Sequence, residues 1–182
     1  MMPIDQRRRI GCSVQWLATI VRHVTSEVRF AVDRMLGRLA TWLRLIGEDA
    51  SWGAHLSGQA LLRHASTQRR IVLTRDRHLL RCQSGPRVVL ITSDHVREQL
   101  RQVVELFALD PFAHIFSRCV RCNQPVETIA KTDVRDLVPS YVFATQARFA
   151  RCPQCRRIYW PATHHDHVHR ELEALTARRA PA

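Results

Sequence analysis

The chain has 182 residues, a hydrophobic content of 46% and six glycines, values that are typical of a folded globular protein and exclude a disordered one. Its length allows one larger domain, or one domain with a small satellite. The formal net charge of +12 predicts a polyanionic partner, most commonly nucleic acid. Because Lys131 is the only lysine, a general bias toward arginine is an alternative origin of this charge.

Residues 1–27 carry little pattern beyond a run of three arginines, and we expect an N-terminal extension that is in part disordered. The apolar stretch 13–21 is short, and Arg22 and His23 stand where a signal-peptide cleavage site would have small residues. No apolar run approaches the roughly 18–20 residues that cross a bilayer. We therefore expect no membrane association through a spanning segment.

Residues 28–110 alternate short apolar runs with helical periodicity. The apolar runs predict strands at 28–32, 71–73 and 88–91. Apolar residues at helical spacing predict helices at 36–46, 56–65 and 96–107, the first of which stops at Gly47. Short apolar strands separated by helices are typical of an α/β sandwich with a mostly parallel sheet.

The three predicted strands each run into an aspartate: Asp33, Asp76 and Asp94. In an open parallel sheet, ligands bind beyond the carboxyl ends of the strands. Three carboxylates at one edge repel each other unless a divalent cation lies between them, and Mg²⁺ or Mn²⁺ suits such oxygen ligands. A metal there activates water for phosphodiester hydrolysis. The alternative is helix capping, because Asp33 and Asp94 each precede a predicted helix.

The six cysteines are of two kinds. They comprise two C-x-x-C pairs, Cys119 with Cys122 and Cys152 with Cys155, and the single residues Cys12 and Cys82. Two such pairs without a secretory signal predict one structural Zn²⁺, closed to water by its four thiolates, in a reducing compartment, most simply the cytoplasm. The segment between the pairs predicts a small ribbon with strands at 126–130 and 141–149. Zinc would supply much of its folding free energy.

A final helix is predicted at 165–179, and its start is rich in histidine: His164, His165, His167 and His169. His165 and His169 share a helix face, so a second metal site is one interpretation. A solvated helix start is the other, and the absence of an acidic third ligand favours it.

Five stretches, in this order, resemble the PIN-like RNase family known as the Mut-seven C-terminal domain: FAVDRMLGRLATWLRLIGEDA, RRIVLTRDRHLL, REQLRQVVELFAL, FSRCVRCNQPVE and RCPQCRRIYWPATHHDHV. The resemblance covers about residues 28–172. It implies a PIN-like three-layer α/β/α sandwich at 28–112, followed at 113–182 by a four-cysteine zinc ribbon with a C-terminal helix. PIN domains are generally Mg²⁺- or Mn²⁺-dependent ribonucleases, and Asp33 and Asp76 match acidic positions of that family. Asp94 matches less closely.

One departure from the family bears on catalysis. The resemblance implies an acidic residue that relatives usually have before the second helix, where this chain has Ser57, Gly58 and Gln59. Asp49 and Glu98 are the candidates to replace it. The resemblance implies a divalent-metal-dependent ribonuclease that hydrolyses RNA. A non-catalytic RNA- or ribosome-binding module with a degenerate PIN site is the alternative, and an adaptor that binds a partner protein through the ribbon is a third possibility.

RNA is thus the predicted partner, whereas the sequence predicts no particular protein partner or oligomeric state. Arginines bind phosphates, and aromatic side chains beside them extend such a surface. The residues expected to contact RNA are Arg34, Arg38, Arg75 and Arg77 near the acidic edge, and Arg156, Arg157, Tyr159 and Trp160 beyond the last cysteine. A solvated surface is the alternative for the arginines of the acidic edge.

Overall fold

The structure is a computed structural model that describes residues 28–81, 85–161 and 163–177. The extension predicted at 1–27 lies outside these residues, as do Cys12, Cys82 and the side chain of His164. No helix in the described part of the chain is long and apolar enough to cross a membrane.

The first part of the chain forms a four-stranded parallel sheet with strand order β2-β1-β3-β4. Its strands are β1 (Arg29–Val32), β2 (Asp49–Trp52), β3 (Ile71–Thr74) and β4 (Val88–Leu90). Strands β1, β3 and β4 confirm the three predicted ones. Strand β2 was not predicted, because it is an edge strand that carries polar residues and buries only Ala50 fully.

Helices cover both faces of this sheet, which confirms the α/β/α sandwich. Helix α1 (Gly37–Leu45) and helix α3 (Val96–Leu106) share one core with Phe30 and Val32, whereas α2 (Gly58–Gln68) packs with Ala31 on the other face. Successive residues of β1 thus point to opposite layers, as the pleat of a strand requires. All three helices were predicted.

Gly47 ends the first helix in a left-handed conformation with φ +95°. A Cβ atom at this position would lie 2.3 Å from the carbonyl oxygen of His114, so only glycine fits. This close approach brings the segment before the first cysteine pair against the end of α1.

The cysteine-rich part forms a three-stranded antiparallel sheet of β5 (Glu127–Ile129), β6 (Phe149–Arg151) and β7 (Ile158–Tyr159). The strand predicted at 141–149 is wrong over most of its length, since α4 (Ser140–Thr145) occupies it. Of the residues of α4, only Val142 is buried, whereas Tyr141 is 69% exposed. Val142 joins Val134, Val138 and Phe149 in a small separate core, and this core accounts for the apolar character of the run.

The last helix, α5 (Thr163–Ala177), confirms the helix predicted at 165–179 and returns to the first part of the chain. Its residues Val168, Leu172 and Leu175 belong to the core that contains α1 and α3. The boundaries predicted at 27/28 and 112/113 stay predictions. The last helix nevertheless packs in the same layer as α1 and α3. In the sequence, the ribbon therefore lies between two segments that both belong to the α/β sandwich.

Candidate acidic site and cysteine cluster

Asp33 lies directly after β1 and is 2% exposed. Its main-chain N–H donates to the carbonyl oxygen of Leu73 at 2.9 Å, and the Thr74 hydroxyl donates to Asp33 Oδ2 at 2.5 Å. The other carboxylate oxygen, Oδ1, is buried and has no hydrogen-bond partner. A buried carboxylate oxygen without a partner is unfavourable, and a divalent cation is a chemical group that would satisfy it.

Helix capping does not account for the Asp33 side chain. Asp33 occupies the N-cap position of the 3₁₀ turn Arg34–Leu36, but its side chain makes no capping hydrogen bond. The unpartnered oxygen of Asp33 therefore favours metal coordination over capping as the interpretation of this residue.

Thr74 links Asp33 to Asp76, a connection that the sequence analysis missed. Its hydroxyl donates to Asp33 and accepts the main-chain N–H of Asp76 at 3.0 Å. Asp76 is half-buried, and its Oδ1 accepts the N–H of His78 at 2.9 Å. The available signal was the spacing Thr-x-Asp at the end of β3, which lets one hydroxyl reach both Asp33 at the end of the neighbouring strand β1 and the turn that follows β3.

Asp94 follows β4 but takes a different role in this structure. Its side chain is 77% exposed and forms an ion pair with Arg75. It does not cap α3, since His95 holds the N-cap position and no side-chain capping bond is formed. Within the described residues, the only group of three or more potential ligands that lie within 4.8 Å of one another is the set of four cysteines. The three aspartates thus do not form a tight cluster, and Asp94 as a ligand stays a prediction.

Neither candidate replacement for the missing carboxylate lies free at the carboxyl edge. Asp49 begins β2 and pairs in register with Arg29, so it lies at the opposite, amino end of the sheet from Asp33. Glu98 Oε2 accepts a hydrogen bond from Arg101 at 2.6 Å. At the start of α2, the N-cap residue Ser57 and the first residue Gly58 supply no acidic group, and Gly58 adopts a left-handed conformation with φ +52°.

The four arginines predicted near the acidic edge follow the carboxyl ends of β1 and β3. All four side chains are exposed: Arg34, Arg38, Arg75 and Arg77. Arg75 is engaged by Asp94. The edge that carries two aspartates is therefore bordered by positive charge.

The four cysteines converge as predicted. The sulfur atoms of Cys119, Cys122, Cys152 and Cys155 lie within 4.8 Å of one another, and none is in a disulfide. Sγ of Cys119 and Sγ of Cys155 are 3.7 Å apart. A tetrahedral zinc with Zn–S bonds of about 2.3 Å places its sulfurs about 3.8 Å apart, so the cluster has dimensions that fit this ion.

The two cysteine pairs form matching turns. In each, the N–H of the second cysteine points to the sulfur of the first, at 3.3 Å in Cys119–Cys122 and 3.5 Å in Cys152–Cys155. The residue after each pair is left-handed, with φ 66° at Asn123 and φ 62° at Arg156. This repeated geometry, in antiparallel strands around four thiols, is consistent with a zinc ribbon.

The hydroxyl of Tyr159 points at the cluster, and the predicted contact of this residue with RNA stays a prediction. Its hydroxyl donates to Sγ of Cys119 at 3.0 Å. Burial alone would raise the pKa of the Cys119 thiol, but this hydrogen bond and those from backbone amides lower it to about 7. Burial and the contact with Cys119 raise the pKa of Tyr159. The tyrosine therefore stabilises a thiolate, the form in which cysteine binds metal.

The start of α5 is not solvated at His165, which is buried. Among the described residues, its histidines belong to no group of three or more potential metal ligands. The ring of His165 is 6% exposed and stacks on Phe116 with centroids 3.6 Å apart. His169 stacks on Phe112 at 5.8 Å. These rings pack α5 against the segment that leads to the first cysteine pair, whereas His167 is exposed.

A buried polar network joins the first cysteine turn to edge strand β2. Asn123 accepts the N–H of Ala50 at 3.0 Å and donates to Asp49 Oδ1 at 2.7 Å. Arg44 of α1 donates to the carbonyl oxygens of Val120 and Arg121 at 2.8 and 3.1 Å. The turn that carries Cys119 and Cys122 is thus fixed to strand β2 through Asn123 and to helix α1 through Arg44.

Asp49 is the charged centre of this network. Arg70 pairs with its Oδ1 at 2.5 Å, and Arg118 lies 4.0 Å from Oδ2. Burial opposes ionisation of Asp49, but the hydrogen bonds from Arg70 and Asn123 outweigh it and hold the pKa of the carboxyl below its usual value. The ionised form of Asp49 is therefore the one that stabilises the fold.

Together, the fold and these two sites define an α/β domain with acidic residues at its carboxyl edge and a four-cysteine ribbon. The family model of the Mut7-C RNAse domain matches residues 28–172. The chain therefore belongs to the Mut7-C RNAse domain family, which confirms the resemblance found in its sequence. Membership indicates a nuclease-like role that is related to RNA. No curated protein matches the chain, and no solved structure matches it.

Asp49→Asn should destabilise the protein by about 3 kcal/mol near neutral pH, the lower end of the cost of removing one partner from a buried ion pair. Because the folded-state pKa of Asp49 is depressed, its contribution is complete above the unfolded value of about 3.9 and is lost as the pH falls through the folded value. Urea unfolding of both proteins between pH 7 and pH 3 measures this. The difference should shrink below about pH 4, whereas exposed Asp136→Asn should have little effect at either pH. A pH-independent difference would contradict an ionic role.

Cys152→Ser should abolish binding of about one equivalent of zinc, because a closed site of four thiolates loses a buried ligand. Metal analysis by mass spectrometry after dialysis measures this. Cys12→Ser is the matched control, since Cys12 belongs to neither C-x-x-C pair. Full zinc content in the Cys152 variant would refute the four-cysteine assignment.

Proposed function

We propose that this protein is a divalent-metal-dependent ribonuclease that hydrolyses RNA phosphodiester bonds at the carboxyl edge of its parallel sheet. The single observation that carries the proposal is Asp33, buried at the end of β1 with an unpartnered carboxylate oxygen. Family membership supports RNA as the substrate class. Asp33 and Asp76 are the proposed catalytic ligands, and Asp94 is the third candidate.

Mg²⁺ or Mn²⁺ fits these oxygen donors, and when bound it supplies an activated water and offsets the charge of the phosphodiester. The chain's own residues have separate tasks. Thr74 holds the Asp33 carboxylate by donating to Oδ2, which leaves Oδ1 for the cation. The same hydroxyl accepts the Asp76 N–H and fixes the turn that carries this second carboxylate.

The exposed arginines beside this edge would hold the phosphates of the RNA strand. Arg34, Arg38 and Arg77 are exposed at the carboxyl ends of β1 and β3. Phosphate contacts supply affinity without sequence preference. Arg75 is in an ion pair with Asp94, and we propose that a phosphate competes for this arginine and releases the aspartate.

The second metal of the proposal is one structural Zn²⁺, held by the four cysteines. Such a site has no open position for water, so it contributes to folding and not to hydrolysis. Thiols held this close without a disulfide suit a reducing compartment, and we propose the cytoplasm.

A non-catalytic RNA- or ribosome-binding protein is the second candidate, and two observations favour it. The stretch Ser57–Gln59 has no carboxylate where the family resemblance implies one, and Asp94 is paired with an arginine. A site with two available carboxylates would bind a divalent cation weakly. Both candidate functions predict that the protein binds RNA, and only the ribonuclease predicts that it cleaves RNA.

Asp33→Asn and Asp76→Asn should each lower the cleavage rate by more than about 100-fold, since loss of an outer-sphere partner of a metal already costs about 10–100-fold. The measurement is cleavage of end-labelled single-stranded RNA with Mn²⁺. Asp110→Asn is a matched control, because Asp110 Oδ1 accepts the N–H of Phe112 at 2.9 Å, the same turn geometry as Asp76 with His78.

The control should retain wild-type activity. Cleavage that is the same in the wild type and in the Asp33 variant would refute the nuclease proposal. RNA binding without cleavage, weakened steeply by salt, would support the second candidate.

A further inference from the structure

A basic groove opens on the ribbon beside the second cysteine turn. Its volume is about 490 Å³, and its lining combines three arginines with three apolar residues: Arg151, Arg156, Arg157, Leu137, Ile158 and Trp160. None of these six residues is acidic. The groove thus pairs positive charge with an apolar floor, a combination that neither the acidic edge nor the cysteine cluster has.

The second cysteine turn fixes the two arginines that border the groove. The N–H of Arg156 donates to the Cys152 carbonyl oxygen, and the carbonyl oxygen of Arg157 accepts the Cys152 N–H, both at 3.0 Å. Both side chains are exposed. Their backbones are therefore held by the metal-binding turn while their guanidinium groups remain accessible to a ligand.

Trp160 gives the groove an aromatic wall. The indole is half-buried, and it packs against the small ribbon core that contains Val134 and Phe149. Beside it, Leu137 is 60% exposed, a high value for a large apolar side chain. An aromatic ring supported on one side and open to a groove is a platform on which an unstacked base can lie.

The charge of the ribbon favours a polyanion. Residues 117–161 contain seven arginines and one lysine but only two aspartates and one glutamate. Glu127 lies opposite Arg151 in the β5–β6 register, which leaves Arg156 and Arg157 as the cations beside Trp160. An acidic peptide would satisfy the arginines but would not use the aromatic wall.

We infer that this groove binds single-stranded RNA, with one base on Trp160 and neighbouring phosphates on Arg156 and Arg157. The inference rests on the proposal that RNA is the substrate. The ribbon is attached at the amino end of β2, whereas Asp33 lies at the carboxyl edge of the sheet. The groove is therefore a second RNA contact, which holds the strand by a part that is not being cleaved.

The test is fluorescence anisotropy with a labelled 12-nucleotide oligouridylate, without added divalent metal and in an Asp33→Asn background. Replacing both Arg156 and Arg157 by alanine should weaken binding and reduce the slope of log affinity against log salt by about 1.4, about 0.7 for each phosphate contact on a single strand. Arg63→Ala is the matched control, since Arg63 is an exposed arginine of α2, a helix that lies outside the ribbon and packs on the face of the sheet away from α1, α3 and α5. It should leave both affinity and slope unchanged.

Tryptophan fluorescence tests the base platform separately. Trp52, an exposed indole that donates to the Arg34 carbonyl oxygen at the carboxyl edge, is first replaced by phenylalanine. In this background RNA should quench the emission of the protein, and Trp160→Phe, which keeps an apolar ring in the ribbon core, should remove most of that quenching. Zinc content of each variant is measured first, and about one equivalent per chain shows that the ribbon is intact.

Unchanged affinity and salt slope in the double arginine variant would overturn the inference, as would quenching that persists in Trp160→Phe. Displacement of the RNA by polyglutamate at equal charge concentration would also overturn it, in favour of an acidic protein partner. Because no cleavage is measured, failure of the groove and failure of the nuclease site are distinguishable.

Discussion

The buried carboxylate of Asp33 is the constraint on which the carboxyl edge of the sheet depends. Taking an ionised carboxylate out of water costs several kcal/mol unless charges or hydrogen bonds compensate it. Thr74 compensates one oxygen, and the other has no partner. The fold therefore leaves the Oδ1 atom of Asp33 without a hydrogen-bond partner. An unsatisfied buried oxygen is expected at a ligand-binding position and not at a helix cap.

The position of Thr74 follows from this constraint. The pairing of β1 with β3 places Val32 opposite Leu73, so the next residues along, Asp33 directly after β1 and Thr74 at the end of β3, lie side by side. The hydroxyl then reaches Asp76 through its N–H. Two adjacent parallel strands thus deliver two carboxylates and the group that orients them, without any long-range loop.

A second constraint joins the ribbon to the sheet. An exposed edge strand is open to pairing with other chains, and Asn123 covers part of β2 by bonding to Ala50 N–H and to Asp49. Since Asn123 directly follows Cys122 in a left-handed turn, its position depends on the cysteine cluster. Loss of zinc should consequently weaken the hydrogen bonds between Asn123 and the edge strand β2. Helix α5, which follows the ribbon in the sequence, packs in the main core.

The sequence predicted the parts of this structure that have a strong local pattern. Wholly apolar runs predicted β1, β3 and β4, and the spacing of the cysteines predicted their convergence. Strand β2 and helix α4 were missed because half-exposed polar strands and short apolar helices lack a distinctive period.

The direction of individual side chains could not be predicted either. Tyr159 was expected on an RNA surface, but its hydroxyl bonds to Cys119. Asp94 was expected beside Asp33, but it pairs with Arg75. In both cases a tertiary contact from another segment decides where the side chain points, and sequence position alone carries no information about that contact.

The most direct test of the account is the effect of Mn²⁺ on thermal stability. A cation that binds only the folded protein stabilises it by about 2.7 kcal/mol at 100 times its dissociation constant. With zinc bound throughout, Mn²⁺ should raise the Tm of the wild-type protein in a concentration-dependent manner and should leave the Tm of Asp33→Asn unchanged. An equal rise in both proteins, or no rise in either, would contradict the claim that Asp33 is the metal ligand of this site.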